Sequence, residues 1–127
     1  MPVPLRELSD ILWRERRLLE LLQFKLEEER LLAEAGRVRW LHRASREVAL
    51  VRGELRRADL ARAMAAEGAA GELGLGANPT LRELAEASPE PWSGILDRHR
   101  RALLLATDEV NDLAQRGDAA IEERAEP

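Results

Sequence analysis

From Leu5 to Ala35 the chain contains neither Gly nor Pro, and its single β-branched residue there is Ile11. Leu, Glu, Arg and Gln dominate the run, and these residues lose little on entering a helix. Leu5, Leu8, Leu12, Leu19, Leu22 and Leu26 recur largely at three- and four-residue spacing, which places them in one seam. Leu18, Leu21, Phe24 and Leu32 widen the apolar surface, while Glu15 and Glu29 interrupt the seam. A helix apolar on more than one face needs more than one packing partner. The run is therefore expected to be the central element of the fold, with Leu18, Leu21, Leu22 and Phe24 covered.

Those partners are helices. Leu and Ala number 23 and 20, whereas Val, Ile and Thr together number 10 and Tyr is absent, a balance that argues against a sheet. The 127 residues suffice for one domain with a core. Acids and bases interleave to a net charge of −4, which lacks the basic stripe expected of a nucleic-acid binder. The absence of Cys excludes disulfides and thiolate metal sites. No apolar run is long enough to span a membrane. The opening MPVPLRELSD has no apolar core of a secretory signal, so a soluble cytoplasmic protein is expected.

Read in order, the chain predicts an all-α fold. Pro2 and Pro4 lead into a first helix at about 5–35. Gly36 supplies a residue able to end it in the left-handed conformation, and so short a break predicts an antiparallel hairpin with a second helix at about 37–67. Leu41, Ala44, Val48, Val51, Leu55 and Ala58 give that helix a lighter seam, and Gly53 inside it costs about 1 kcal/mol against Ala. The stretch GAAGELGLGANP, 68–79, reads as a flexible Gly-rich linker pinned by Leu73 and Leu75. It lacks the Lys-Ser or Lys-Thr of a phosphate loop. Thr80-Leu81-Arg82-Glu83 is a capping box that starts a short helix at about 81–87. Ser88-Pro89 repeats a start signal, for a third long helix at about 89–116 whose seam is Trp92, Leu96, His99, Leu103, Ala106, Val110 and Leu113. Gly117 is the expected stop. The expectation is thus an elongated bundle, with one helical domain over 1–117 and a frayed or disordered tail over 118–127.

Few residues invite chemistry. His42 and His99 have no acidic or His partner three or four residues away, so neither forms a metal pair on its own helix. His42 is expected on the solvent side and His99 at a seam edge. Glu15 and Glu29 lie about 21 Å apart along a helix, too far to share a substrate bond; fixing register or pairing with arginines of another helix is the expected role. No Ser-His-Asp arrangement is suggested. No catalytic residue, cofactor or metal is expected. Trp13, Trp40 and Trp92 are expected to fill gaps between helices.

Three stretches together resemble the FlgN-type flagellar export chaperones, especially an actinobacterial-like branch. They are LSDILWRERRLLELLQFKLEEERLLAEAGRVRWLHRASREV (8–48), ELGLGANPTLRELAEASPEPW (72–92) and HRRALLLATDEVNDLA (99–114). The resemblance implies a cytoplasmic, helical, non-enzymatic protein. It implies binding of the C-terminal regions of the hook–filament junction (hook-associated) proteins before type III secretion, with the flagellar export gate as a further partner. In that family the last helix continues into an Asn- and Leu-containing segment associated with cargo; here Gln115-Arg116-Gly117 leads into a short charged tail, so a shortened cargo helix is expected. The resemblance points cargo to the C-terminal region, and mobility on a Gly-rich linker adds a reason to place the contact on Leu103, Ala106, Val110 and Leu113. The alternative for those four is closure of a three-helix core. The alternative function is a structural coiled-coil or adaptor protein whose exposed seam pairs with itself as a homodimer. Trp92-Ser93-Gly94 also matches the W-x-G tripeptide of small secreted helical-hairpin proteins, but it follows Pro91 and opens a helix rather than forming the turn between two.

Overall fold

The computed structural model describes residues 3–125, with side-chain burial assigned from Pro4 to Glu123. The order is α1 (Val3–Glu34), α2 (Val38–Leu73), α3 (Leu81–Ala87) and α4 (Trp92–Ala125), with no strand among the described residues. The all-α expectation holds, and the departures lie at the ends of helices.

Gly36 ends α1 as expected, with φ at 69°. Its N–H donates to Ala33 O at 3.1 Å and that of Arg37 to Leu32 O at 3.0 Å, the paired bonds of a Schellman turn. α2 does not stop near Glu67. It runs through Gly68 and Gly71 to Leu73 and closes at Gly74, φ 71°, with Leu75 N–H donating to Ala70 O. Propensity predicted a linker here; packing overrides it. Ala69 and Ala70 are buried, and a Cβ added at Gly68 would lie 4.0 Å from Pro4 Cβ. Small residues let this end of α2 approach the start of α1, and that contact offsets a helical-glycine cost of about 1 kcal/mol each.

α3 has the expected capping box. Thr80 Oγ1 accepts from Glu83 N and Glu83 Oε1 accepts from Thr80 N, each at 3.0 Å. Ser88, read as the start signal of the last helix, instead closes α3: its hydroxyl donates to Leu84 O at 2.6 Å and its N–H to Ala85 O. α4 therefore opens at Trp92. It passes through Gly117 and continues to Ala125, so the expected stop is corrected; of the tail expected to be frayed over 118–127, residues 118–125 are helical and 126–127 lie outside the described residues. Gly117 is buried, with Glu29 Oε1 in ordinary van der Waals reach (3.7 Å) of the position a Cβ would take, and Ala120 is buried a turn further on. Gly117 does not terminate the helix.

Two compact units emerge from the contacts. Unit 1 takes the residues up to Arg17 and Arg56–Leu104; unit 2 takes Leu18–Leu55 and Leu105 onward. The expected 1–117 domain thus draws on both, and α1, α2 and α4 each contribute to each. In unit 2, Leu22, Leu26, Val48, Val51 and Val110 form a buried cluster, with Leu19, Leu55, Leu113 and Ala114 packed against it. Lys25 Nζ meets Glu47 Oε1 at 2.9 Å, as the antiparallel α1–α2 hairpin requires. In unit 1, Leu5, Leu8 and Leu12 of α1 are fully buried, as are Leu96 of α4 and, nearly so, Leu84 of α3. The seams of α1, α2 and α4 are where the spacing placed them. The widening of α1 is only half covered: Leu18 is buried, but Leu21 and Phe24 remain exposed, Phe24 at 60%.

Candidate functional site

The polar interior of unit 1 centres on His99. It occupies a seam position of α4 between Leu96 and Leu103, so folding α4 carries its ring inside, where it is 1% exposed. α1 meets it with three residues at helical spacing. Ser9 Oγ lies 3.1 Å from Nε2, Arg16 Nη1 lies 3.3 Å from Nδ1, and the Trp13 ring makes an edge contact at 4.9 Å between centroids. A guanidinium only donates, so Nδ1 is the acceptor and Nε2 carries the hydrogen donated to Ser9 Oγ. Burial first, then the charges of Arg16 and Arg98, push the imidazole down to about 4. His99 is a neutral structural donor, with the tautomer opposite to that a Ser-His nucleophile pair needs. The expected seam-edge position is corrected to the interior.

The same unit buries Glu15. Its Oε1 stands 3.3 Å from Arg62 Nε but has no aligned hydrogen-bond donor among the described residues. Burial pushes the carboxyl up to about 7; Arg62 opposes the shift, and Asp59 adds to it by charge and by a hydrogen bond. Arg62 also faces Asp59 at 3.5 Å. The expected arginine of another helix is therefore present for Glu15.

Beside His99 lies a cleft of about 420 Å³ whose walls include Trp13, Arg16 and Trp92, with Arg6, Asp10 and Arg98 about it. Trp92 is buried and fills a gap, as expected; Trp13 and Trp40 stay at least two-fifths exposed and carry Arg16 and Arg39 over their rings at 4.1 and 4.8 Å. Sequence reading missed this cluster because it sought partners for His99 on its own helix. The available signal was a histidine at a core position of a seam, which must find partners on a neighbouring helix.

The four residues of α4 proposed for cargo do not make one exposed face. Val110 is 6% exposed inside the unit 2 cluster and Leu113 packs against that cluster. Leu103 is buried and Ala106 is half-buried. Among the described residues, the large apolar side chains that α4 exposes are Leu104 in unit 1 and Leu105 in unit 2. In unit 2, α1 exposes Leu21, Phe24 and Leu31; spacings of three and seven residues put these on one side of the helix.

Among the described residues no group of three or more His, Cys, Asp or Glu could hold a metal ion, and no helix is long and apolar enough to cross a membrane. His42 is exposed, as expected. A family model described as FlgN protein matches residues 1–126. No curated protein and no solved structure matches the chain.

Proposed function

The chain belongs to the FlgN family, and from that membership we propose that it is a cytoplasmic export chaperone for flagellar hook–filament junction proteins. It holds their C-terminal regions before type III secretion and delivers them to the flagellar export gate. No catalytic step is part of this reading. The observation that carries it is the family match over residues 1–126. The exposed apolar side chains support it, because a holding chaperone must offer apolar surface to a segment that is disordered when free.

Contact through the inner face of α4 would require Leu103, Ala106, Val110 and Leu113 to leave the interior. We place cargo instead on the exposed side of α1 in unit 2, at Leu21, Phe24 and Leu31, where an amphipathic cargo helix can lay its apolar face. Titration calorimetry with the C-terminal segment of a junction protein from a flagellated host tests both statements. Binding with a negative heat-capacity change is expected, and it is lost in a folded Phe24→Asp, Leu31→Asp variant. Absence of binding to the native chain removes the chaperone reading; undiminished binding in the variant removes this face.

The same exposed leucines favour a second reading, self-pairing as a homodimeric adaptor. Gel filtration of the chain alone separates the two: a monomer that shifts only with cargo supports the chaperone, and a constitutive dimer supports the adaptor.

A further inference from the structure

The cleft beside His99 has no part in the reading above, and its charges are unbalanced. Three guanidiniums, Arg6, Arg16 and Arg98, line it with one carboxylate, Asp10. Arg6 and Arg98 are exposed and make no ion pair with a described residue. Arg16 is pinned, stacked 4.1 Å over the Trp13 ring and bonded to His99 Nδ1 at 3.3 Å. That bond engages one of the five N–H donors of its guanidinium. The apolar wall is aromatic: Trp92 is buried and Trp13 stands 46% exposed at the rim.

We propose that this cleft binds an acidic peptide segment, seating one carboxylate among Arg6, Arg16 and Arg98 with a neighbouring apolar side chain against Trp13. Planar guanidiniums match carboxylates through paired N–H···O bonds, and the local excess of positive charge supplies complementarity in a chain whose net charge is −4. A volume of about 420 Å³ fits one or two side chains. A nucleic acid would need a track of cations for successive phosphates, and this cleft offers one cluster. Pinning of Arg16 means that little side-chain freedom is lost when the carboxylate arrives. The proposal stands apart from the chaperone reading, since it rests on the cleft alone.

Binding has a local reporter. Arg16 and Arg98 help hold the His99 imidazole down near 4; a carboxylate between them offsets their field and raises that value. Exposed His42 serves as the internal control. The experiment uses the full chain and a blocked hexapeptide alternating leucine and aspartate. The comparators are the same peptide with asparagine for aspartate, and inorganic phosphate. NMR titration of the two histidines and Trp fluorescence read the outcome. The aspartate peptide is expected to bind at least about tenfold more tightly than the asparagine peptide and to raise the His99 pKa alone. A folded Arg6→Glu, Arg98→Glu variant loses about tenfold or more in affinity; the single Arg98→Gln variant gives a smaller loss in the same direction. Equal binding of the two peptides overturns the proposal. So does unchanged affinity in Arg98→Gln, or phosphate binding as tightly as the aspartate peptide, which would make the cleft a general anion site.

Discussion

Unit 2 closes on Leu22, Leu26, Val48, Val51 and Val110, whereas unit 1 encloses Ser9, Glu15, Ser88 and His99 alongside its leucines. Unit 2 keeps much of its charge in half-buried pairs such as Lys25–Glu47 and Arg30–Glu27, and buries Glu29 beside Gly117. Pairing with Glu47 raises the Lys25 pKa and, reciprocally, lowers that of Glu47, and both groups stay charged near neutrality. Unit 1 holds two interior groups whose titration falls within the accessible range. Between pH 5 and pH 7.5, above the range in which the lowered Glu47 carboxyl titrates, stability in unit 2 should therefore depend on apolar volume, and in unit 1 on volume and pH together.

The largest expected effect breaks the apolar side of that comparison. Val110→Asp with Leu113→Asp puts two carboxylates against the apolar unit 2 cluster. Destabilisation should exceed about 4 kcal/mol, seen as lost helical circular dichroism and early melting. A folded double variant would return these residues to the list of candidate contacts on α4. Next in size, Leu22→Ala should cost about 2–5 kcal/mol in urea melts, the range for truncating a buried leucine. Its cost should be the same at pH 5 and pH 7.5, because the cluster around it is apolar. A pH-dependent cost would show that the two interiors do not differ in the way described.

How much of this was legible follows the same division. The unit 2 core could be read from spacing because Leu22, Leu26, Val48, Val51 and Val110 are apolar, and apolar burial is non-directional. The interior of unit 1 could be read only in part. That Glu15 would seek an arginine followed from its place in a leucine seam, but Arg62 as that arginine did not, because the choice depends on the register of α2 against α1. The His99 site needed Ser9, Trp13 and Arg16, residues about 80–90 positions away in sequence by their numbering. Helix ends failed for a related reason. Gly68, Gly71 and Gly117 have the local signature of breaks, yet α2 and α4 run through them, and Ala69, Ala70 and Ala120 nearby are buried by long-range packing.

A smaller effect isolates the acid in unit 1. Glu15 has a folded pKa of about 7, above its ordinary value of 4.5. The fold thus prefers the protonated form, and the stability this contributes is full below about pH 4.5 and is lost as pH rises toward 7. In Glu15→Gln that dependence is absent. The stability of the variant relative to the native chain should therefore climb from pH 4.5 to pH 7.5, measured by urea midpoints at fixed slope. A flat difference would place Glu15 in water.

The smallest effect concerns Arg98. Its side chain is exposed, so Arg98→Ala should change stability at pH 7.5 by less than about 0.5 kcal/mol. Its influence lies in the field at His99. The folded imidazole sits near 4 against an ordinary 6.5, so the fold prefers the neutral ring. That contribution is full above pH 6.5 and is lost as pH falls through 4. Arg98 is one of three causes of the depression, after burial and Arg16. Removing it should raise the His99 pKa, bring folded and unfolded values closer and leave less stability to lose on acidification. Near neutrality the native chain and the variant should coincide, and at pH 4–5 the variant should be the more stable. Histidine NMR should show the His99 titration displaced upward. An unmoved His99 titration would mean that Arg98 exerts no field in the cleft.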